Sequence, residues 1–348
     1  MSSVQALMSV PTSDRDLTWL MESLQCAIVL EHSTLPPYLC AMWSIRDQTH
    51  EAYGMLGGIV LQEMLHMGLA CNLLASIGGS PRINSPDVIP RYPGPLPCGL
   101  KPLLNPNLQV GLTRLTPAAV SDVFMLIEYP EGGPIALQAH TGRTFPTIGE
   151  FYGAIRDQFV ALQPVDPSTE ARQIEHDMGQ SQLTKILDND AALAAIELIV
   201  EQGEGTSQSA GVGPSGADLA HYYEFKQLHV GRMYRQDASG RWTLSGPFLD
   251  FPSVFPMADV PPEGYSGPDV PVEVGEFNDH YGVLVDALQR AWDQGGEAGQ
   301  DALEEAIGSM ILLTSLARTL MGERPLPDGS GFTYGPTFRP PQAGGDHA

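Results

Sequence analysis

The run Leu61-Gln62-Glu63-Met64-Leu65-His66-Met67 constrains the fold most, because it sets two ionisable side chains into the apolar face of a helix. From Leu56 the apolar positions recur at Leu56, Ile59 and Val60, then at Met67, Ala70, Leu73, Leu74 and Ile77. That is the i, i+3, i+4, i+7 stripe of a buried helix face. Glu63 and His66 fall inside it, three residues apart, so carboxylate and imidazole face the same way. A carboxylate buried without a partner is costly, so Glu63 must meet a cation, a donor or a metal. Glu-x-x-His on an inward face is half of the ligand set with which a four-helix bundle holds two carboxylate-bridged metal ions. The plainer reading is a surface Glu beside a partly buried His, and the shared stripe argues against it.

A matching helix precedes this one. Thr12-Ser13-Asp14 offers N-cap residues. The stripe that follows runs Leu17, Leu20, Met21, Leu24, Ala27, Ile28, Glu31, Leu35, Tyr38, Met42, with Glu31 at a core position. Pro36-Pro37 should kink or split the helix just beyond Glu31. A short connection near Asp47 to Glu51 leads into the second helix, and helices joined so tightly pack antiparallel. Glu31 lies 18 residues before position 49 and Glu63 lies 14 after it. At about 1.5 Å per residue the two carboxylates sit within roughly 6 Å of the same height.

Gly78-Gly79 ends the second helix, and residues 79–146 form a crossover punctuated by Pro81, Pro86, Pro90, Pro93, Pro95, Pro97 and Pro102. Leu108, Val110 and Leu112 alternate like a short strand, and Ser121 to Glu128 reads as one helical segment. Thr147-Ile148-Gly149-Glu150 is a capping box that opens a third helix, and capping by itself accounts for Glu150. In the next helix, Ala191 to Gly205, the residues Glu197, Glu201 and Glu204 share a face that is either solvated or ligand-bearing. His221 and Glu224 are again three apart; a single imidazole on an aromatic-rich segment is more often a hydrogen-bonded core residue than a ligand, but with a carboxylate site elsewhere His221 becomes its natural second histidine. Phe277 to Gln294 and Ala302 to Leu320 read as closing helices of a scaffold. The Pro/Gly-rich tail from Pro325 is expected to wrap the surface and to end in disorder. The expectation is an all-α chain, one domain over 1–348, with its bundle core at about 14–78 and 147–236.

With 18 Lys+Arg against 41 Asp+Glu the net charge is −23, which repels nucleic acid and an anionic membrane surface. The N-terminus lacks a basic start and an apolar run, and no 18-residue apolar run occurs, so a cytoplasmic chain without a membrane span is expected. Cys26, Cys40, Cys71 and Cys98 form no Cys-x-x-Cys and are expected as reduced, buried thiols.

Several short motifs, in order, resemble one family. They are Leu30-Glu31-His32-Ser33-Thr34-Leu35-Pro36-Pro37-Tyr38-Leu39, Glu63-Met64-Leu65-His66, Ile148-Gly149-Glu150-Phe151-Tyr152, Glu201-Gln202-Gly203-Glu204-Gly205, His221-Tyr222-Tyr223 and Gly335-Pro336-Thr337-Phe338. Over about residues 15–340 the chain resembles the ferritin-like iminophenyl-pyruvate dimer synthase family. This family includes the ferritin-like portion of the enzymes that couple indole-pyruvate imines in violacein-type and rebeccamycin-type pathways. The resemblance implies a ferritin-like four-helix bundle with a non-haem metal centre and oxidative chemistry. By position it implies the metal ligands Glu31, Glu63, His66, Glu150, Glu201 and His221, with Glu204 and Glu224 as substitutes. Glu63 and His66 are the candidate catalytic pair.

The function expected is oxidation of a small amino-acid-derived or secondary-metabolite substrate by O2 or peroxide at two iron ions, with manganese as the alternative metal. Carboxylates and imidazoles suit such ions and leave positions open. The competing readings are iron binding or storage without turnover, a structural ferritin-like protein, and a two-metal hydrolase. Assembly as a homo-oligomer is open, although the long irregular insertions argue against the close cage packing that storage needs.

Overall fold

In the computed structural model, which describes residues 2–130, 146–179, 181–203, 211–212 and 218–340, helices dominate. A short helix α1 (Val4–Ser9) leads to α2 (Leu17–Ser44) and α3 (Glu51–Ser76). The true cap of α2 is Asp16, whose side chain accepts from the Trp19 N–H, while Thr12–Asp14 form a single 3-10 turn. His50 caps α3 in the same manner, through the Ala52 N–H. α2 and α3 fold back on each other and pack along their length. Every residue of α2 from Ser23 to Tyr38 is buried, as expected of a helix wrapped on all sides.

Pro36 and Pro37 do not split α2; the helix runs through them. A proline removes the N–H that would satisfy the carbonyl four residues earlier. For Pro37 that carbonyl belongs to Ser33, and it accepts 2.7 Å from the buried Tyr92 hydroxyl instead. The proline-rich crossover thereby supplies the donor that the helix lacks.

The described part of the crossover carries α4 (Pro117–Ile127), whose middle winds as a π-turn over Val120–Phe124. The strand expected at Leu108 to Leu112 reduces to one antiparallel bridge between Val110 and Gly94. All three apolar side chains are buried, so the alternation reflects packing without a partner strand long enough to make a ladder. Then come α5 (Ile148–Leu162), α6 (Asn189–Gly203) and α7 (His221–Val230). α5 and α6 pair with each other, α5 lying against α2 and α6 against α3, which completes the four-helix arrangement. α7 packs on α4 and touches α3 and α6. The described strands are three two-residue antiparallel ladders in connecting loops.

α8 (Val272–Gln294) and α9 (Gly296–Glu323) form a third hairpin, turned by Gly295 at φ +59°. Any Cβ at Gly295 would stand 1.9 Å from the Ala171 carbonyl oxygen, so the turn requires glycine. Two polar clamps tie this hairpin on. Asn72 of α3 donates to the Ile174 and Thr184 carbonyls and accepts from the Trp292 indole, so the buried amide is satisfied. Arg318 of α9 donates to the carbonyls of Trp43, Ile45 and Arg46, closing the C-terminal end of α2.

Two expectations are corrected here. Cys26 of α2 and Cys98 of the crossover form a disulfide, so only Cys40 and Cys71 are the buried free thiols expected of all four. The tail does not simply wrap the surface, because residues 333–338 are buried. Phe338 stacks on Trp43 and meets Phe277 and Tyr281 edge-on, so aromatic burial outweighs the Pro/Gly composition. The last residues, 341–348, lie outside the described part. α3 is long and apolar enough to cross a membrane, yet 78% of its apolar window is buried inside the protein.

Candidate metal centre

The site is built from five side chains on four elements. Glu31 comes from α2, and Glu63 and His66 come from one face of α3. Glu128 is the residue that ends α4, and His221 is the first residue of α7. All are buried, from 0% exposed for His221 to 9% for Glu31. Potential ligand atoms of Glu31, Glu63 and His66 lie within 4.8 Å of one another, and so do those of Glu63, Glu128 and His221. Glu63 belongs to both groups.

Both imidazoles present the same atom inward. His66 Nε2 stands 2.8 Å from Gln202 Oε1, and His221 Nε2 stands 2.8 Å from Gln62 Oε1. An amide oxygen only accepts, so each ring carries its proton on Nε2 and leaves a bare lone pair on Nδ1. His66 Nδ1 then faces Glu31 Oε2 at 3.8 Å. His221 Nδ1 faces Glu63 Oε1 at 2.8 Å and Glu128 Oε2 at 3.6 Å, without the geometry of a hydrogen bond. A lone pair this close to a carboxylate is repulsive unless a proton or a metal ion stands between them.

The titration behaviour agrees. Burial alone would lower His221, but Glu128 and Glu63 beside it outweigh that and raise it to about 10, so in the absence of metal a proton takes the cationic position. Burial lowers His66 to about 4. Burial, and then the charge of Glu63, raises Glu31 well above the usual carboxylate range. Among the described residues no lysine or arginine bridges to these three carboxylates. Buried charge must be neutralised, and metal held by these three carboxylates and two imidazoles would do so, with oxygen and nitrogen donors of the kind that suit a transition metal.

Further donors fix the carboxylates. Thr34 Oγ1 lies 2.5 Å from Glu63 Oε2, and the Tyr38 hydroxyl donates to Glu128 Oε1 at 2.5 Å. The Tyr152 hydroxyl donates to Glu31 Oε1. Beside the cluster is about 50 Å³ of free space, walled by apolar side chains such as Leu30, Leu96, Ile127, Ile148 and Ile199.

Of the ligands implied by position, Glu31, Glu63, His66 and His221 come together, whereas Glu150 and Glu201 do not. The Glu150 carboxylate closes the capping box by accepting from the Thr147 N–H. Glu201 is exposed on α6, and its neighbour Gln202 is the residue turned inward. Of the substitutes, Glu224 accepts from Gln227 outside both ligand groups, and Glu204 lies outside the described residues. Glu128 was not anticipated as a ligand. Its one signal was a lone carboxylate closing the apolar run Val123-Phe124-Met125-Leu126-Ile127.

Among solved structures the chain is similar to a ferritin-like protein from Caulobacter vibrioides, with 26% identity and a TM-score of 0.60 over 85% of this chain and 95% of that one. No curated protein sequence matches it. A sequence model of the Ferritin-like family matches residues 24–230, which carry all five side chains of the cluster. The chain belongs to the Ferritin-like family.

Proposed function

We propose that this protein is a non-haem di-iron oxidoreductase that uses O2 or peroxide on a small organic substrate. The single observation that carries this reading is the membership of Glu63 in both ligand groups, since a two-metal centre needs one carboxylate shared between two sets of oxygen and nitrogen donors. An imine derived from an amino acid is the substrate class suggested by the family whose motifs the sequence resembles. Manganese would satisfy the same donors.

A bound metal pair would supply the redox electrons; the rest is the work of the chain. Gln62 and Gln202 hold the two rings with Nδ1 inward. Thr34, Tyr38 and Tyr152 hold the carboxylate oxygens, and their hydroxyl protons are the nearest that could be relayed. The apolar walls limit water, which strengthens each electrostatic contact. All five ligands come from one chain, so a second copy is not required to complete the site.

One observation favours a second reading, iron binding without substrate turnover. Free space of about 50 Å³ suits an oxidant better than an organic substrate. Metal content per chain on anaerobically purified protein, then the optical spectrum on oxygen exposure, then oxygen uptake with aromatic α-imino acids separates the two. Two irons per chain with imine-dependent uptake supports the oxidoreductase. Two irons that oxidise with no effect of any imine supports the second reading. No transition metal after reconstitution overturns both.

A further inference from the structure

The metal centre lies on one side of the α2–α3 pair. On the other side, between that pair and the α8–α9 hairpin, is a larger cavity of about 380 Å³. The two spaces share no lining residue. Helix geometry keeps them apart: Glu31 and His32, Glu63 and Met64, and His66 and Met67 are chain neighbours that line opposite spaces. α8 and α9 pack far more on each other than on α2, which leaves the gap.

The chemistry of this gap is specific. No Lys, Arg, Asp or Glu lines it among the described residues. Its walls include Met42, Met64, Met67 and Met310, unbranched side chains that adapt to varied aliphatic shapes. Polar groups are few, and the buried pair is His32 with Tyr281, Nε2 to Oη at 2.9 Å. Native cores rarely leave apolar voids much larger than a water molecule, whereas ligand sites have this size and this mostly apolar lining. There is also a mouth. Leu61 and Ile311 line the cavity and are 38% and 70% exposed, apolar surface that a closed core would have covered.

We propose that this cavity binds an uncharged, mainly aliphatic small molecule, of the size of a medium-chain alcohol or an isoprenoid, with its one polar group at the His32–Tyr281 pair. A carboxylate would enter without a cation to meet it and against a net charge of −23. An ammonium would find no anion in the walls. The molecule does not reach the metal ligands, so this site is a binding function separate from the chemistry proposed above and does not depend on it.

The test uses the full chain and the neutral fluorophore N-phenyl-1-naphthylamine, with 1-dodecanol and dodecanoate as competitors at pH 8. Two variants fill the cavity. A side chain at Gly57 would meet only Met42 Sδ, at 3.7 Å, so Gly57→Leu grows into open space. Ala306→Phe does so from α9, where Ala306 lines the cavity. Saturable binding at one site per chain is expected, displaced by dodecanol at a concentration at least about tenfold below that needed with dodecanoate, and weakened at least about tenfold in each variant. Iron content and helical circular dichroism, read on the same samples, are expected to stay unchanged. Absence of saturable binding overturns the proposal, as does equal displacement by dodecanoate, or undiminished binding in a folded variant. If neither variant folds, the dodecanol-against-dodecanoate comparison on the unaltered chain decides.

Discussion

His66 Nε2 stands 2.8 Å from Gln202 Oε1, and the helix register that achieves this turns Glu201 to solvent. One residue along an α-helix is a rotation of about 100°. α6 therefore offers the candidate metal centre an amide that would orient a ligand, where the family resemblance implied a carboxylate that would be one. Gln202→Ala is expected to weaken iron binding by about 10- to 100-fold, the usual cost of losing the partner of a ligating histidine. Glu201→Ala is expected to change it by less than about twofold, as for an exposed side chain away from the site. Competition against a chromophoric chelator reads both. A loss in Glu201→Ala equal to that in Gln202→Ala would return Glu201 to the ligand set.

Metal removal should expose the crowding of like charges. Glu31, Glu63 and Glu128 converge with only imidazoles and hydroxyls between them. A metal bound to the folded state alone adds about 4 kcal/mol when its free concentration is about 1,000 times Kd. Chelator-treated protein is therefore expected to melt well below the metal-loaded form. Glu63→Gln removes the carboxylate common to both groups, so its melting should not respond to chelator. Thermal melts with and without chelator check this, and a Glu63→Gln protein that still loses stability on chelation contradicts the bridging role.

How much of this was legible in the sequence follows from where each residue sits. Glu31, Glu63 and His66 stand in long, strongly periodic helices joined by a short turn, so stripe and spacing placed them before any fold was known. Glu128 sits at the end of a short helix with a π-turn inside a long irregular crossover. Its position is decided by tertiary contacts with Tyr38 and His221, at sequence separations that no local pattern encodes. Gln202 was passed over because an amide carries no charge to mark it beside Glu201 and Glu204. The Cys26–Cys98 pair spans 72 residues and was equally unreadable. The buried tail misled for a different reason: its prolines and glycines resemble a surface segment, while Tyr334 and Phe338 supply the apolar area that fixes it.

Tyr92 provides a test of how α2 tolerates two consecutive prolines. Its hydroxyl donates to the Ser33 carbonyl at 2.7 Å, and both residues are buried. Tyr92→Phe keeps the ring and leaves that carbonyl without its donor, which should cost about 1–3 kcal/mol. Urea unfolding on the metal-free protein measures it. The same substitution in a Pro37→Ala background should cost less, because the alanine N–H restores an intrahelical donor to Ser33. Equal costs in the two backgrounds would show that Tyr92 acts through packing alone.

His32 gives the acid dependence of stability its own signature. Burial lowers it from 6.5 to about 4, so the folded protein keeps the ring neutral where the unfolded chain has already bound a proton. Between these values the unfolded state holds more protons, and stability falls as the pH falls. The contribution is fully present above about pH 6.5, is lost progressively as the pH drops towards about 4, and levels off below that. A shift of this size corresponds to about 3 kcal/mol. His32→Gln keeps a polar group within reach of Tyr281 and cannot take up the proton. Chemical unfolding of both proteins with chelator present, at pH values from 7.5 down to 4.5, isolates this part, because the two proteins differ only at position 32. The wild type is expected to lose stability more steeply than His32→Gln over that range. Parallel losses would mean that the ring is protonated inside the folded protein, and that the cavity it lines accommodates a charge.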